Sequence, residues 1–170
     1  MKPPFHADHV GSLLRPSELV AARKAKSANL KEVEDRAIRA AVAKQEAIGL
    51  RSVTDGEFRR DYWHLDFMRQ LDGVTLKSAV GMTFAAEDVP PMATVTGRLR
   101  CSRPIMVDHF AFLKSTTKKT AKFCMPSPGS LHFRGGRNAI SREVYPDLAE
   151  FWVDAAAAWR QAIRQLGEAG

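Results

Sequence analysis

Residues 30–57 read LKEVEDRAIRAAVAKQEAIGLRSVTDGE, and the order of elements in that stretch decides the fold class. Val33, Ala37, Ile38, Ala41, Val42 and Ile48 recur at helical spacing, while Lys31, Glu34, Asp35, Arg39 and Lys44 take the opposite face. Gly49 supplies a helix stop. The short β-branched run Arg51-Ser52-Val53-Thr54 follows, and Asp55-Gly56-Glu57 then opens a polar loop. Helix, tight turn, buried strand and polar loop at the strand's C-terminal end is the repeating logic of an α/β fold.

The same logic extends in both directions. Upstream, Pro16-Ser17-Glu18 opens a helix running to about Ser27, with the Ser17 hydroxyl as expected N-cap and Glu18 as a first-turn charge. Downstream, residues 93–100 alternate as a half-exposed strand, a helix is expected over 105–114, and Lys122-Phe123-Cys124-Met125 reads as a second short apolar strand. Pro126-Ser127-Pro128-Gly129 ends it, and a polar, Gly-rich loop runs to about residue 141. Leu148, Phe151, Trp152, Ala155, Trp159, Ile163 and Leu166 then form one helical stripe, opened by Pro146-Asp147 and stopped by Gly167 and Gly170. Its aromatic residues are expected in the core. Strands separated by helices imply βα units around a parallel sheet, whose chemistry gathers in loops at the C-terminal strand ends. Four such loops stand out, at residues 9–16, 55–63, 100–104 and 126–137.

Composition narrows the function classes. The chain has 170 residues, 26 Lys+Arg against 19 Asp+Glu, five His, two Cys and 45% hydrophobic residues, the make-up expected of one soluble globular domain or a piece of one. The longest apolar candidate, residues 151–166, is broken by Asp154, Arg160, Gln161 and Arg164, so no membrane span is expected. The N-terminal MKPPFHADHV lacks a signal peptide's apolar stretch, which makes the cytoplasm the expected compartment. Cys101 and Cys124 lie in no CxxC or Cys/His cluster and read as reduced thiols. The net charge of +7 is local: residues 98–137 carry Arg98, Arg100, Arg103, Lys114, Lys118, Lys119, Lys122, Arg134 and Arg137 against Asp108 alone. Such a field attracts an anionic ligand, or is simply a solvated basic face.

Each loop has a possible chemistry and a plainer alternative. In His9-Val10-Gly11-Ser12 the glycine permits close backbone approach and the hydroxyl both donates and accepts, as an amino-acid ligand requires; otherwise it is only a turn. In Thr54-Asp55-Gly56-Glu57-Phe58-Arg59-Arg60, Glu57 can hold an ammonium group or act as a base. The arginines there can clamp a carboxylate, or the charges can pair among themselves. Tyr62, Trp63 and His64 floor a pocket or pack, with packing expected of Trp63. Arg100-Cys101-Ser102-Arg103 places two cations around a thiol, which lowers a thiol pKa, but no base completes a nucleophilic pair. The segment from Pro126 to Arg137 offers glycine amides and arginines to an anion, without a P-loop or a GxGxxG fingerprint.

Together these motifs resemble the cobalamin-independent methionine synthase family, in its catalytic C-terminal barrel and in the stand-alone proteins built from that barrel. HVGSLLRP, VTDGEFRRDYWH, GRLRCSRPI and KFCMPSPGSLHFRGGR stand in the family's order and span essentially the whole chain. The resemblance implies a (βα)8 TIM barrel and methyl transfer from methyltetrahydrofolate polyglutamate to homocysteine, activated as a thiolate on zinc without cobalamin. By position, Val10-Gly11-Ser12 resembles the turn that holds the homocysteine carboxylate, Glu57 the acid that pairs with its amino group, and Arg100-Cys101 a folate-contacting dipeptide. Pro126 stands where the family presents a Trp that stacks on the pterin.

A complete barrel takes roughly 250 residues. Residues 1–170 are therefore expected to be the N-terminal part of a single such barrel, an incomplete α/β domain. The family's zinc ligands, a His, two Cys and a Glu, come from later strands, so neither a metal ligand nor a catalytic residue is assigned here. Such a part is expected to be inactive alone and to form a homo-oligomer or pair with a complementary barrel half. The alternatives are a zinc-dependent alkyltransferase acting on another thiol such as coenzyme M, and a non-catalytic binding module. A nucleic-acid partner has only charge in its favour and no motif, and is not expected.

Overall fold

Two sets of contacts organise the chain in the computed structural model, which describes residues 9–77 and 91–170. Most of the N-terminal stretch read for a signal peptide lies outside the described residues. The elements run α1 (Ser17–Lys24), α2 (Leu30–Ala47), β1 (Ser52–Val53), α3 (Leu65–Met68), β2 (Asp72–Lys77), β3 (Met92–Arg100), α4 (Val107–Thr116), β4 (Thr120–Ala121), α5 (Ser130–Phe133), a 3-10 turn (Gly136–Ala139) and α6 (Leu148–Glu168). One unit takes the chain up to Arg60 together with Asp108–Cys124, and the other takes Asp61–Val107 together with Met125–Gly170.

In the first unit α2 follows the expected periodicity and buries Val33, Ile38 and Val42. These pack with Leu19, Val53, Phe58 and Leu113. Leu19, Ile38, Val53 and Leu113 are completely buried, and each such side chain contributes about 1.5–3 kcal/mol. β1 and β4 pair in parallel, Ser52 with Thr120 and Val53 with Ala121. The second strand thus starts earlier than residues 122–125, although the Lys122 amide still donates to the Val53 carbonyl at 2.8 Å. The expected Ser17 cap is corrected: Pro16 occupies the N-cap of α1, and no side chain caps it.

The second unit departs further from the expected parallel sheet. The strand expected at 93–100 is present as β3, but it pairs antiparallel with β2, an element the periodicity did not reveal. The register shifts between Asp72 and Val74. There Gly73 has φ +79°, and a Cβ on it would lie 2.6 Å from the carbonyl oxygens of Gly97 and Arg98, so only glycine lets the strands approach this closely. On α6 the buried stripe is Phe151, Ala155, Ala158, Trp159 and Ala162. Trp152 and Ile163 are 39% and 57% exposed, a correction to the expected stripe, because they fall outside the arc those five positions define. Asp147 caps α6 by accepting from the Ala149 amide at 2.8 Å. Tyr145, completely buried, donates its hydroxyl to Asp154 and accepts from the Leu99 amide, both at 2.7 Å, tying β3 to α6.

The described residues are mixed α/β, with no closed barrel among them. No helix among them is long and apolar enough to cross a membrane.

Candidate functional site

The first unit gathers the 9–16 and 55–60 loops against the end of β4. Gln45, on the last turn of α2, is buried and treats β1 as a strand neighbour would. Its Nε2 donates to the Thr54 carbonyl and its Oε1 accepts from the Thr54 amide, both at 2.9 Å. Thr54 in turn donates its hydroxyl to the Gly11 carbonyl at 2.9 Å and accepts from the Gly56 amide at 3.2 Å. The Leu13 amide donates to the Gly56 carbonyl at 3.1 Å, and Arg15 donates to the Arg60 carbonyl at 2.7 Å.

The remaining carbonyls of the 9–11 turn are held as well. Lys122 donates to the His9 carbonyl and the Cys124 thiol to the Val10 carbonyl. Lys122 and Cys124 are two residues apart, the spacing that puts extended side chains on one face. Three successive carbonyls, those of His9, Val10 and Gly11, are therefore each fixed by a side chain from elsewhere in the unit.

Glu57 lies against this turn. Gly56 and Glu57 have φ +66° and +59°, two successive left-handed residues, and the second is not glycine. Asp55 stabilises the bend by accepting the Glu57 amide at 2.9 Å. The Glu57 side chain is 4% exposed. Its Oε1 lies 3.7 Å from Arg60 Nη1, and its Oε2 has no hydrogen-bond partner. Burial pushes the Glu57 carboxyl above the ordinary range; Arg60 and Arg15 oppose that shift, and Asp55 adds to it. A Cβ on Gly11 would sit 3.0 Å from Glu57 Oε1 and 2.6 Å from Cys124 Sγ, so turn, carboxylate and thiol meet at one point.

The structure thus brings Gly11 to Glu57, with Val10 and Ser12 exposed at the rim. Arg100 and Cys101 belong to the second unit. The Cys101 thiol donates to the Arg103 carbonyl at 3.4 Å, and burial together with Asp72 pushes its pKa up. Flanking cations, weighed as a possible activator of this thiol, do not lower its pKa here. Of the two readings left open for the arginines, pairing among the charges is the one seen. Arg59 pairs with Asp35 and Glu34, and Arg60, completely buried, stacks 4.6 Å above the Phe123 ring. In the basic segment Arg98 is engaged by Glu150 and Asp154, and Arg103, Lys122 and Arg137 donate to main-chain carbonyls. Part of that positive charge is therefore spent inside the protein. Trp63, expected to pack, is 50% exposed and lines a cavity of about 220 Å³ with His64, Met68, Leu131, Phe133 and Arg134. Sequence reasoning missed Gln45, Thr54 and Cys124 as parts of the site, since each acts by reaching a distant main chain.

No protein-family model matches the chain. Two uncharacterised Bacillus subtilis proteins, YxjH and YxjG, are 39% and 37% identical to it over 99% of its length, covering 46% and 47% of theirs. The chain thus spans about half the length of the curated relatives it matches. A Listeria monocytogenes protein provisionally named a vitamin-B12 independent methionine synthase superposes with a TM-score of 0.80 at 36% identity, over 98% of this chain and 49% of its own. A B12-independent methionine synthase from Shewanella, solved with selenomethionine, gives 0.64 at 19% identity over 95% and 48%. The antiparallel β2–β3 pair and the parallel β1–β4 pair therefore belong to a methionine-synthase-like fold.

Proposed function

We propose that residues 1–170 form the N-terminal part of a (βα)8 barrel in the cobalamin-independent methionine synthase family, and that its first unit holds the amino-acid end of a homocysteine-like thiol. One observation carries this reading: Glu57 is a buried carboxylate with an oxygen that has no partner, set against a turn with three fixed carbonyls. A buried acceptor left unpaired costs about 1–3 kcal/mol, more if charged, and a ligand ammonium would recover that cost through a charge-assisted hydrogen bond. Ser12, exposed at the rim, offers a hydroxyl to the ligand carboxylate. The name of the Listeria neighbour, a vitamin-B12 independent methionine synthase, favours methyl transfer to the thiol in methionine biosynthesis. Arg100 and Cys101 retain their proposed contact with folate polyglutamate by resemblance alone.

In such a reaction zinc would lower the pKa of the substrate thiol and hold it as a thiolate. Among the described residues no group of three or more His, Cys, Asp or Glu comes together to hold a metal, so the residues present do not make a zinc site. The role of this part is binding and orientation. Leu14 and Ile48, 96% and 76% exposed in the first unit, and Trp152 and Ile163 in the second are apolar surface that a complementary half or a second copy would cover.

Calorimetric titration with L-homocysteine tests the reading. Glu57→Ala should weaken binding by about 1–3 kcal/mol, roughly five- to 150-fold. Equal affinity in the variant refutes it.

A further inference from the structure

Thr54 follows directly on β1, is buried, and has its hydroxyl saturated by three partners from two loops. The hydroxyl has one proton, which goes to the Gly11 carbonyl at 2.9 Å, since a carbonyl only accepts. Its lone pairs then take the Gly56 amide and His9 Nε2, both at 3.2 Å, which makes that ring nitrogen a donor. Thr54 has little freedom to relax these bonds, because Gln45 holds its amide and its carbonyl at 2.9 Å each.

The bond to Gly11 also orients the outer side of the turn. A trans peptide group points its carbonyl and its N–H in opposite directions, and no peptide bond among the described residues is cis. With the Gly11 carbonyl drawn inward onto Thr54, the Ser12 N–H faces outward, and Ser12 is exposed. That amide makes no hydrogen bond among the described residues, whereas the next one, Leu13, donates to the Gly56 carbonyl.

Resting on the proposed seat for the amino-acid end of a thiol, we infer that Thr54 is a positioning residue for the ligand carboxylate. Its hydroxyl holds the peptide between Gly11 and Ser12 so that the Ser12 amide and the Ser12 hydroxyl together meet a carboxylate at the open rim. Both donors belong to an exposed residue, so the carboxylate binds at the surface. The same hydroxyl ties the turn to Gly56 and thereby sets the carboxylate end relative to Glu57.

Calorimetric titration of the full chain with L-homocysteine and with 3-aminopropanethiol, which is homocysteine without its carboxylate, tests this under reducing conditions. The unaltered protein should prefer homocysteine by about tenfold or more, the effect of a charge-assisted hydrogen bond. Thr54→Val, which keeps the shape and removes the hydroxyl, should cut that preference at least threefold, and Thr54→Ser should retain it. A merely structural role would weaken both thiols alike and leave their ratio unmoved. That result overturns the role of Thr54, and the seat at Glu57 stands if Glu57→Ala still weakens homocysteine. Amide hydrogen exchange on the unaltered protein reads the geometry without any variant. The Ser12 amide should exchange freely alone and be protected at least tenfold by saturating L-homocysteine, but not by 3-aminopropanethiol. A Ser12 amide protected without ligand, or equal affinity of the unaltered protein for the two thiols, overturns the inference. Absence of homocysteine binding overturns both the inference and the seat it rests on.

Discussion

Replacing Glu57 with glycine should make the protein more stable while weakening ligand recognition. Three local terms set the size of the gain. Glu57 holds φ +59°, which costs an L residue about 1–2 kcal/mol and glycine almost nothing. Its carboxylate is 4% exposed with Oε2 unpartnered, a desolvation cost of about 1–3 kcal/mol. Against these stand the long charged contact with the buried Arg60 at 3.7 Å, worth about 1–2 kcal/mol, and glycine's extra backbone entropy, about 0.5–1 kcal/mol. The balance is a gain of about 1 kcal/mol, or roughly 2–4 °C in melting temperature for a chain of this size. Glu57→Ala, which keeps the left-handed strain, should gain less. The pH dependence has a definite sign. Because burial raises the folded-state pKa of Glu57, the native state binds the extra proton, and stability falls as pH rises from the unfolded value through the folded one. The advantage of Glu57→Gly should therefore be smallest in acid and grow as pH rises through the folded-state pKa. Urea denaturation of both variants at two pH values measures this. A glycine variant less stable than the unaltered protein at neutral pH would refute the reasoning, and would make Glu57 a structural carboxylate.

Gln45→Leu should cost about 2–4 kcal/mol in urea denaturation, since it orphans both the amide and the carbonyl of Thr54 inside the first unit. Tyr145→Phe should cost about 1–3 kcal/mol by leaving the buried Leu99 amide unpaired, read by the same assay. Arg98→Ala, whose partners Glu150 and Asp154 are themselves partly exposed, should leave the urea midpoint almost where it is, with any difference vanishing at high salt.

The helices were legible because their signals are local. The α2 stripe repeats every three to four residues, and Asp147 announces α6 as a cap. The antiparallel β2–β3 pair was not legible for a physical reason. Asp72-Gly73-Val74-Thr75-Leu76-Lys77 carries a weak alternation interrupted by the glycine that makes the pairing possible, so the residue needed for close approach also erases the strand signal. Trp152 looked like core because an apolar stripe read from composition is wider than the arc α6 buries.

The candidate site divides along the same line. Gly11 and Glu57 were readable because a glycine beside a hydroxyl and a carboxylate after a strand each advertise a chemistry. Nothing in the sequence advertises that Glu57 adopts a left-handed conformation or that Arg59 is committed to Asp35, since both depend on residues distant in the chain. Cys124 is the extreme case. In the sequence it read as a reduced thiol in a short apolar strand and as part of the KFCMPSPGSLHFRGGR motif, with no role of its own, and its place beside Gly11 follows from where the chain runs after β4. A site assembled by gripping main-chain carbonyls leaves little trace in residue type, because any donor of the right length serves. Its trace lies instead in the paired tolerance of positions such as 11 and 124, where a change at one is admissible only with a change at the other.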